Sequence, residues 1–332
     1  MPHTHKITRR HVLGSGLAGA AVTAGLIPSL ATAQNAVRMQ LSWLHSVQFA
    51  GSYIAQDSGL WREQGIEVAL DAGGPNAPVE PPVVSGTALV GISAADYTAA
   101  AVENGANFRI LAVAMQKNPF AITSLPKNPV AVPSDLEGKR LGMALANMPV
   151  LEALATLNDF DASAVEVIPT QYSAAPLLAG EVDCLLSWET DLPVAMAVQG
   201  VESQTMLMAD HGYSVHSQTY IATEAAIADR RDEIVSLLRG EAQGWEIYRK
   251  DTNAAAQQTV DRFPDQGLDL AVQELQAERQ VPLMFSELTD ANGFGWFTED
   301  TIASNIETLA LLGRKVTPDL WDRSILEEVH GA

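Results

Sequence analysis

Two matching stretches decide the fold of this chain: residues 85–96, SGTALVGISAAD, and residues 179–190, AGEVDCLLSWET. Each joins a glycine turn to a short β-rich run and leads into a helical pattern of small residues. Such units are typical of parallel α/β sheets, in which ligands bind at the carboxyl ends of the strands. We therefore expect two α/β lobes that each contribute one loop to a shared cleft, although similar units also arise by chance in α/β proteins.

Outward from these stretches, short β-rich runs alternate with helical patterns, and the pattern from Glu224 onward is almost entirely helical. Seven strands are predicted, at residues 37–43, 66–70, 88–93, 109–115, 140–144, 165–168 and 182–187. The interruption near Pro119 and the return to helices divide the chain into two lobes. We assign residues 37–120 plus 223–332 to lobe one and residues 121–222 to lobe two.

The first 33 residues have the pattern of an export signal. Lys6, Arg9 and Arg10 precede a mildly apolar run, and Ala31-Thr32-Ala33 is a small-x-small cleavage pattern. The paired arginines resemble a twin-arginine signal, so the twin-arginine export machinery is an expected partner. An uncleaved membrane anchor is the alternative. We predict that residues 1–33 are removed and that the mature protein is periplasmic.

Composition excludes several classes of function. The chain has 332 residues, 20 Lys and Arg against 40 Asp and Glu, and a net charge of -20, which would repel a phosphate backbone. No nucleic-acid partner is therefore expected. Cys184 is the only cysteine, which excludes an intrachain disulfide and a thiolate-rich metal site. We expect no metal and no cofactor.

Ordered motifs give the chain a family resemblance: QLSW (40–43), QFAGSYIA (48–55), GLWREQGIEV (59–68), DLEGKRLG (135–142) and GEVD (180–183). They resemble the NMT1/THI5-like family of thiamine-pyrimidine-precursor proteins, which comprises periplasmic substrate-binding proteins of ABC importers and related fungal pyrimidine synthases. The resemblance implies a type II periplasmic-binding-protein fold, with two α/β lobes around a ligand cleft and two hinge crossovers. It also implies a small-molecule ligand and an ABC permease and ATPase in the inner membrane as partners.

The resemblance also raises an enzymatic alternative, which the sequence disfavours. The fungal synthases use a cysteine-rich iron motif, and a chain with Cys184 alone cannot contain one. We expect a binding protein that is not an enzyme, and a monomer. A ligand sensor that docks a membrane signalling protein would use the same fold, so it remains the alternative to an importer.

Ligand-contacting residues are expected where strands end at the cleft. Trp43 and Trp188 end strands in opposite lobes, and two indoles could clamp a planar heterocycle. Core packing is the alternative for each tryptophan, and helix capping is the alternative for the acidic candidates. The polar candidates are Gln48, Asp96 and Asn118 in the first part of the chain, and Asn147, Glu189, Tyr213 and His216 in the second.

The class of ligand follows from charge. Relatives of this fold bind pyrimidines, riboflavin-like rings, taurine, alkanesulfonates or nitrate. Neither predicted cleft loop contains an arginine, and Lys117 is the only nearby cation, which favours a neutral planar heterocycle such as a pyrimidine. Backbone N–H groups at the helix start beside Asn147 keep a phosphorylated pyrimidine or another anion open.

Overall fold

The computed structural model of the protein describes residues 36–331, and in these residues ten strands form two five-stranded sheets. The predicted export signal at residues 1–33 lies outside the described residues. In residues 36–331, no helix combines the length and the apolar character needed to cross a membrane.

The strands are short and mostly buried. In chain order they are β1 (Val37–Gln40), β2 (Val68–Asp71), β3 (Val90–Ala94), β4 (Phe108–Met115), β5 (Phe120–Ser124), β6 (Arg140–Met143), β7 (Glu166–Pro169), β8 (Cys184–Trp188), β9 (Gln204–Leu207) and β10 (Ser217–Thr223).

The helices cover the sheets and form most of the C-terminal third. They are α1 (Ala50–Asp57), α2 (Leu60–Glu63), α3 (Glu80–Val84), α4 (Ala95–Glu103), α5 (Met148–Leu157), α6 (Ala175–Ala179), α7 (Leu192–Val198), α8 (Glu224–Asp229), α9 (Arg231–Tyr248), α10 (Thr252–Arg262), α11 (Leu270–Met284), α12 (Glu287–Asn292), α13 (Glu299–Leu311) and α14 (Ser324–His330).

The two sheets share one topology. Their strand orders are β2-β1-β3-β10-β4 and β7-β6-β8-β5-β9, so each has three parallel strands followed by one antiparallel strand and an edge strand. The matched stretches found in the sequence become β3 and β8, which occupy the third place in each order. This arrangement confirms the predicted α/β class with two similar lobes.

The carboxyl edges of the two sheets adjoin because both crossovers connect them. The chain leaves β4 at Met115 and enters β5 at Phe120, which pairs with Trp188 at the end of β8. It leaves β9 at Leu207 and returns to β10 at Ser217, which pairs with Met115. Strand ends from both lobes therefore face the same cleft.

Sheet membership corrects both predicted lobe boundaries. Residues 121–222 were assigned to the second lobe, but β10 pairs with β3 and β4 and lies in the first sheet. Phe120 likewise opens β5 in the second sheet rather than closing the first lobe. Both differences arise because the antiparallel strands are entered from the crossovers, without an intervening α-helix to mark the change of lobe.

Helix α11 borders the cleft on one side. The side chain of Gln273 accepts a hydrogen bond from the Val47 N–H at 2.7 Å, just beyond the end of β1. Near the other end of the helix, the Leu283 carbonyl accepts a hydrogen bond from the Lys117 N–H at 3.0 Å in the first crossover. Between these anchors α11 contacts α7 of the second lobe. A helix of lobe one thus reaches residues of lobe two.

Candidate functional site

Apolar side chains line both edges of the cleft. Trp43 and Leu44 follow β1, Tyr97 follows β3, Leu145 follows β6 and Tyr172 follows β7, and all five are exposed. They include all the exposed tryptophan, tyrosine and phenylalanine side chains of residues 36–331. Large apolar side chains that are exposed together mark a binding surface.

Tyr172 and Asp191 form a polar pair in lobe two. The Tyr172 hydroxyl donates a hydrogen bond to Oδ2 of Asp191 at 3.2 Å. Because β6 lies between β7 and β8, this contact passes over the carboxyl end of β6 and places both residues in the cleft. Enclosure by protein raises the pKa of Asp191 to about 6.

An ion pair crosses the cleft between the lobes. Nη1 of Arg279 in α11 lies 3.2 Å from Oε1 of Glu189, which directly follows β8. Burial raises the pKa of Glu189, and the charge and hydrogen bond of Arg279 oppose that rise. The prediction that Lys117 is the only nearby cation was therefore wrong. Lys117 itself pairs with Asp210 at 2.7 Å, between the two crossovers.

Asp96 lies in the first turn of α4. Burial raises the pKa of its carboxyl, while the backbone N–H groups of Asp96 and Tyr97 oppose the rise. Burial raises the pKa of Tyr213, and the charge of Asp96 raises it as well, which places Tyr213 near this junction. An acid in the first turn of a helix interacts favourably with the helix N-terminus, which favours a structural role for Asp96, and ligand contact stays a prediction.

Asn118 ties the two crossovers together. Its Nδ2 donates to the Val215 carbonyl at 2.7 Å, and its Oδ1 accepts from the Phe120 N–H at 2.9 Å. Both ends of the amide are therefore used within the hinge. This arrangement indicates a structural role for Asn118 rather than the predicted contact with ligand.

His216 and Tyr213 also lie in the second crossover. Nδ1 of His216 accepts a hydrogen bond from the Trp321 indole N–H at 3.1 Å, and burial lowers the pKa of His216 to about 4. The Tyr213 ring packs edge-on against Phe120, with ring centroids 6.1 Å apart. Together with Trp296, Tyr213 and His216 line a cavity of about 280 Å³ at the hinge.

The remaining predicted residues lie in different environments. Trp43 is 45% exposed at the cleft, whereas Trp188 is half-buried and packs against the main core. Gln48 is buried in the 3-10 helix Val47–Phe49, and Asn147 is half-buried just before α5. Trp43 thus fits the predicted aromatic wall better than Trp188.

Four residues of this site were not predicted from the sequence: Tyr97, Tyr172, Asp191 and Arg279. Tyr97 and Tyr172 could have been found, because each is an aromatic residue one short loop or turn beyond a strand. Asp191 lies within the loop that was predicted to face the cleft. Arg279 comes from a helix 90 residues away from Glu189 and carries no local signal.

Comparisons with known proteins agree with this architecture. The family model described as NMT1/THI5 like matches residues 46–255. The riboflavin-binding protein RibY from Chloroflexus aurantiacus is 24% identical over 286 residues, which cover 83% of this chain and 81% of RibY.

Solved structures share the fold at low sequence identity. The periplasmic aliphatic sulphonate binding protein SsuA from Escherichia coli has a TM-score of 0.65 and 13% identity, covering 84% of this chain and 86% of SsuA. The desulfurization enzyme DSZB has a TM-score of 0.59 and 14% identity, covering 88% of this chain and 98% of DSZB. These likenesses show the fold alone. Because the family model spans more than half of the chain, the protein belongs to the NMT1/THI5-like family, and its fold is that of the periplasmic binding proteins.

Proposed function

We propose that this protein is the extracytoplasmic substrate-binding protein of an ABC importer and captures a planar aromatic heterocycle by closing its two lobes. The observation that carries the proposal is the placement of Trp43, Tyr97 and Tyr172 on the facing carboxyl edges of the two sheets, all three exposed. A ring stacked on aromatic side chains gains about 0.5–1.5 kcal/mol per pair beyond the burial of its area. Aromatic walls on both lobes therefore favour closure around a flat ligand.

Two kinds of ring fit this proposal, a pyrimidine and a riboflavin-like ring. The family resemblance favours the pyrimidine, and the likeness to RibY, which is named for riboflavin, favours the larger ring. Walls supplied by three aromatic side chains suit a fused ring system that can stack on more than one of them. Riboflavin is therefore the first compound to test.

Calorimetric titration tests the proposal directly. Purified mature protein is titrated with riboflavin, 4-amino-5-hydroxymethyl-2-methylpyrimidine and ethanesulfonate. Trp43→Ala and Tyr172→Ala should each weaken binding of the cognate ring at least tenfold, because both the stacking and the burial of one wall are lost. Leu178→Ala is the matched control, since Leu178 is exposed in α6 and lies away from the strand ends. Unchanged affinity in both aromatic variants would overturn capture by stacking.

A second candidate ligand is an alkanesulfonate, and Arg279 is the observation that favours it. Its guanidinium reaches the cleft, and a bidentate hydrogen bond to a sulfonate could replace the contact with Glu189. Glu189→Gln would then strengthen ethanesulfonate binding, and Arg279→Gln would abolish it. For a neutral ring, Glu189→Gln should produce no such gain.

The absence of catalysis is part of the proposal, and it has its own test. One structural neighbour, DSZB, is an enzyme, so the fold alone does not decide the matter. A binder should return its ligand unchanged after prolonged incubation, as measured by mass spectrometry of the denatured mixture. Importer and sensor are separated by the genes beside this one, because a permease and an ATPase would indicate import and a histidine kinase would indicate sensing.

A further inference from the structure

We infer that Asp191 reads the edge of the bound ring by accepting a hydrogen bond from a ring N–H or an exocyclic amino group. The binder would then select heterocycles that donate a hydrogen bond at the edge facing lobe two. This inference rests on the proposed capture of a planar ring and names the chemical class that the ring must have.

Asp191 occupies a capping position but does not cap its helix. It directly precedes α7, where an aspartate normally accepts a hydrogen bond from the N–H of the second or third helical residue. The second residue of α7 is Pro193, which has no N–H. The Asp191 side chain makes no hydrogen bond to the start of the helix. Its carboxylate is therefore left for another donor.

The hydrogen-bonding capacity of this carboxylate is largely unused. An ionised carboxylate has about four acceptor positions, and in residues 36–331 the Tyr172 hydroxyl is the one side chain that donates to it, at 3.2 Å. Asp191 is half-buried, so a ring that covers it would strip water from the free acceptor positions and weaken binding unless the ring supplies a donor. A ligand N–H would relieve that cost, because it would supply a charge-assisted hydrogen bond inside the cleft.

The two acids that follow β8 differ in their partners. Glu189 pairs with Arg279 at 3.2 Å, whereas among the described residues Asp191 has the Tyr172 hydroxyl and no cation beside it. Tyr172 joins Asp191 to the aromatic wall, since the exposed ring bears the hydroxyl that holds the carboxylate. A ring stacked on Tyr172 would thus present its edge to Asp191.

A chemical double-mutant cycle tests the inference. Two ligand pairs are titrated by calorimetry: riboflavin with N3-methylriboflavin, and 4-amino-5-hydroxymethyl-2-methylpyrimidine with its 4-dimethylamino analogue. Each pair differs in the hydrogen-bond donor and keeps the ring. The proteins are the wild type, Asp191→Ala, the shape-preserving Asp191→Asn, and the control Asp161→Asn. Asp161 is a capping aspartate of the same lobe, whose carboxylate accepts from the Ser163 N–H at 2.8 Å.

The wild type should bind the parent ring at least tenfold more tightly than its methylated partner. Asp191→Ala should lose most of that preference, Asp191→Asn should retain part of it through its amide oxygen, and Asp161→Asn should retain all of it. Equal binding of both members of a pair by the wild type would overturn the role of Asp191 and leave ring capture intact. So would a preference that survives in Asp191→Ala. Failure of the wild type to bind any of the four rings would overturn the proposed function, and this inference with it.

Discussion

The two strand-to-helix junctions that face the cleft occupy equivalent places in the two sheets but end differently. After β3, helix α4 begins at once with Ala95, so Asp96 falls in its first turn. After β8, residues 189–191 intervene before α7 begins at Leu192. The same topological position therefore holds a tight turn in lobe one and a short loop in lobe two.

This difference decides what each acid does. Asp96 lies where free N–H groups of α4 can reach its carboxyl, and Asp191 precedes a helix whose second residue is Pro193. Both junctions contain an aspartate after the third strand of the sheet. They differ in length, and only the β8–α7 junction is followed by a proline at the second helical position. An acid inside the first turn of a helix interacts with the N–H groups of that turn, whereas an acid that precedes a turn containing proline stays open to a ligand.

The largest effect should come from making the β8 junction resemble the β3 junction. Trp188 ends β8 where Ala94 ends β3, and it is half-buried against the main core. Trp188→Ala should lower the free energy of unfolding by roughly 2–3 kcal/mol, because a partly buried indole is removed from the core. Urea denaturation measures the loss.

Trp43→Ala is the control for that experiment, since Trp43 is exposed and should contribute less than about 0.5 kcal/mol to stability. A Trp188→Ala variant that keeps full stability but loses ligand affinity would place Trp188 in the binding wall and remove this contrast between the tryptophans.

The next-largest effect is a dependence of ligand affinity on pH, which we expect Asp191 of lobe two to cause. Burial raises the pKa of Asp191 to about 6, so the carboxylate that accepts from the ligand is lost as the pH falls through that value. Affinity for a neutral ring that donates a hydrogen bond should therefore drop about tenfold between pH 7.5 and pH 5. The neighbouring titratable and charged groups are the Tyr172 hydroxyl, which donates to Asp191, and the paired Glu189 and Arg279.

Two variants assign this pH dependence to one residue. Asp191→Asn should bind with nearly constant affinity over the same range, whereas Glu189→Gln should retain the wild-type slope. Retention of the slope in Asp191→Asn would show that another group titrates, and Glu189 would become the first candidate because burial raises its pKa as well.

Much of the fold could be predicted because the parallel strands carry local signals. A glycine turn, a buried run of about five residues and a following helix identify β3 and β8 without any knowledge of their partners. Strands β5 and β10 were missed because each is entered from a crossover rather than from an α-helix, and β9 was missed because it is a four-residue strand with one buried residue. Their place is set by antiparallel pairing with distant strands, as for Ser217 with Met115. The lobe boundary at 222/223 failed for the same reason.

The site was less predictable than the fold. Trp43 was identified because it ends the predicted strand 37–43, although β1 itself ends at Gln40, and Asp96 and Glu189 were identified because they follow predicted strands. Glu189 is paired because Arg279 lies beside it, and Arg279 belongs to α11, which is distant in the sequence. The hinge role of Asn118 likewise depends on the Val215 carbonyl in the other crossover. The spacing of residues along the chain does not predict such long-range contacts.

The two junction acids should also differ in their effect on stability. Asp96→Ala removes an acid from the first turn of α4, where it interacts favourably with the helix N-terminus, and should cost roughly 0.3–1 kcal/mol. Asp191→Ala removes a carboxylate that accepts no helix N–H, so it should cost nothing or stabilise slightly. Denaturation at pH 7 compares the pair. Equal losses would mean that Asp191 supports its junction as Asp96 does, and the functional contrast would fail.

The smallest difference between the lobes is expected where the two units begin. Gly86 after α3 and Gly180 after α6 have φ angles of 74° and 75°, and each donates its N–H to the carbonyl three residues earlier at 3.1 Å. A Cβ atom at either position would meet nothing within 4 Å, so the cost of alanine is that of the left-handed backbone alone. Gly86→Ala and Gly180→Ala should therefore each lower stability by about 1 kcal/mol. The double variant should lose the sum, because the turns lie in different lobes and share no partner. If only one of the two variants lost stability, the two turns would differ in rigidity. The two units would then be equivalent in their strands but not in the turns that precede them.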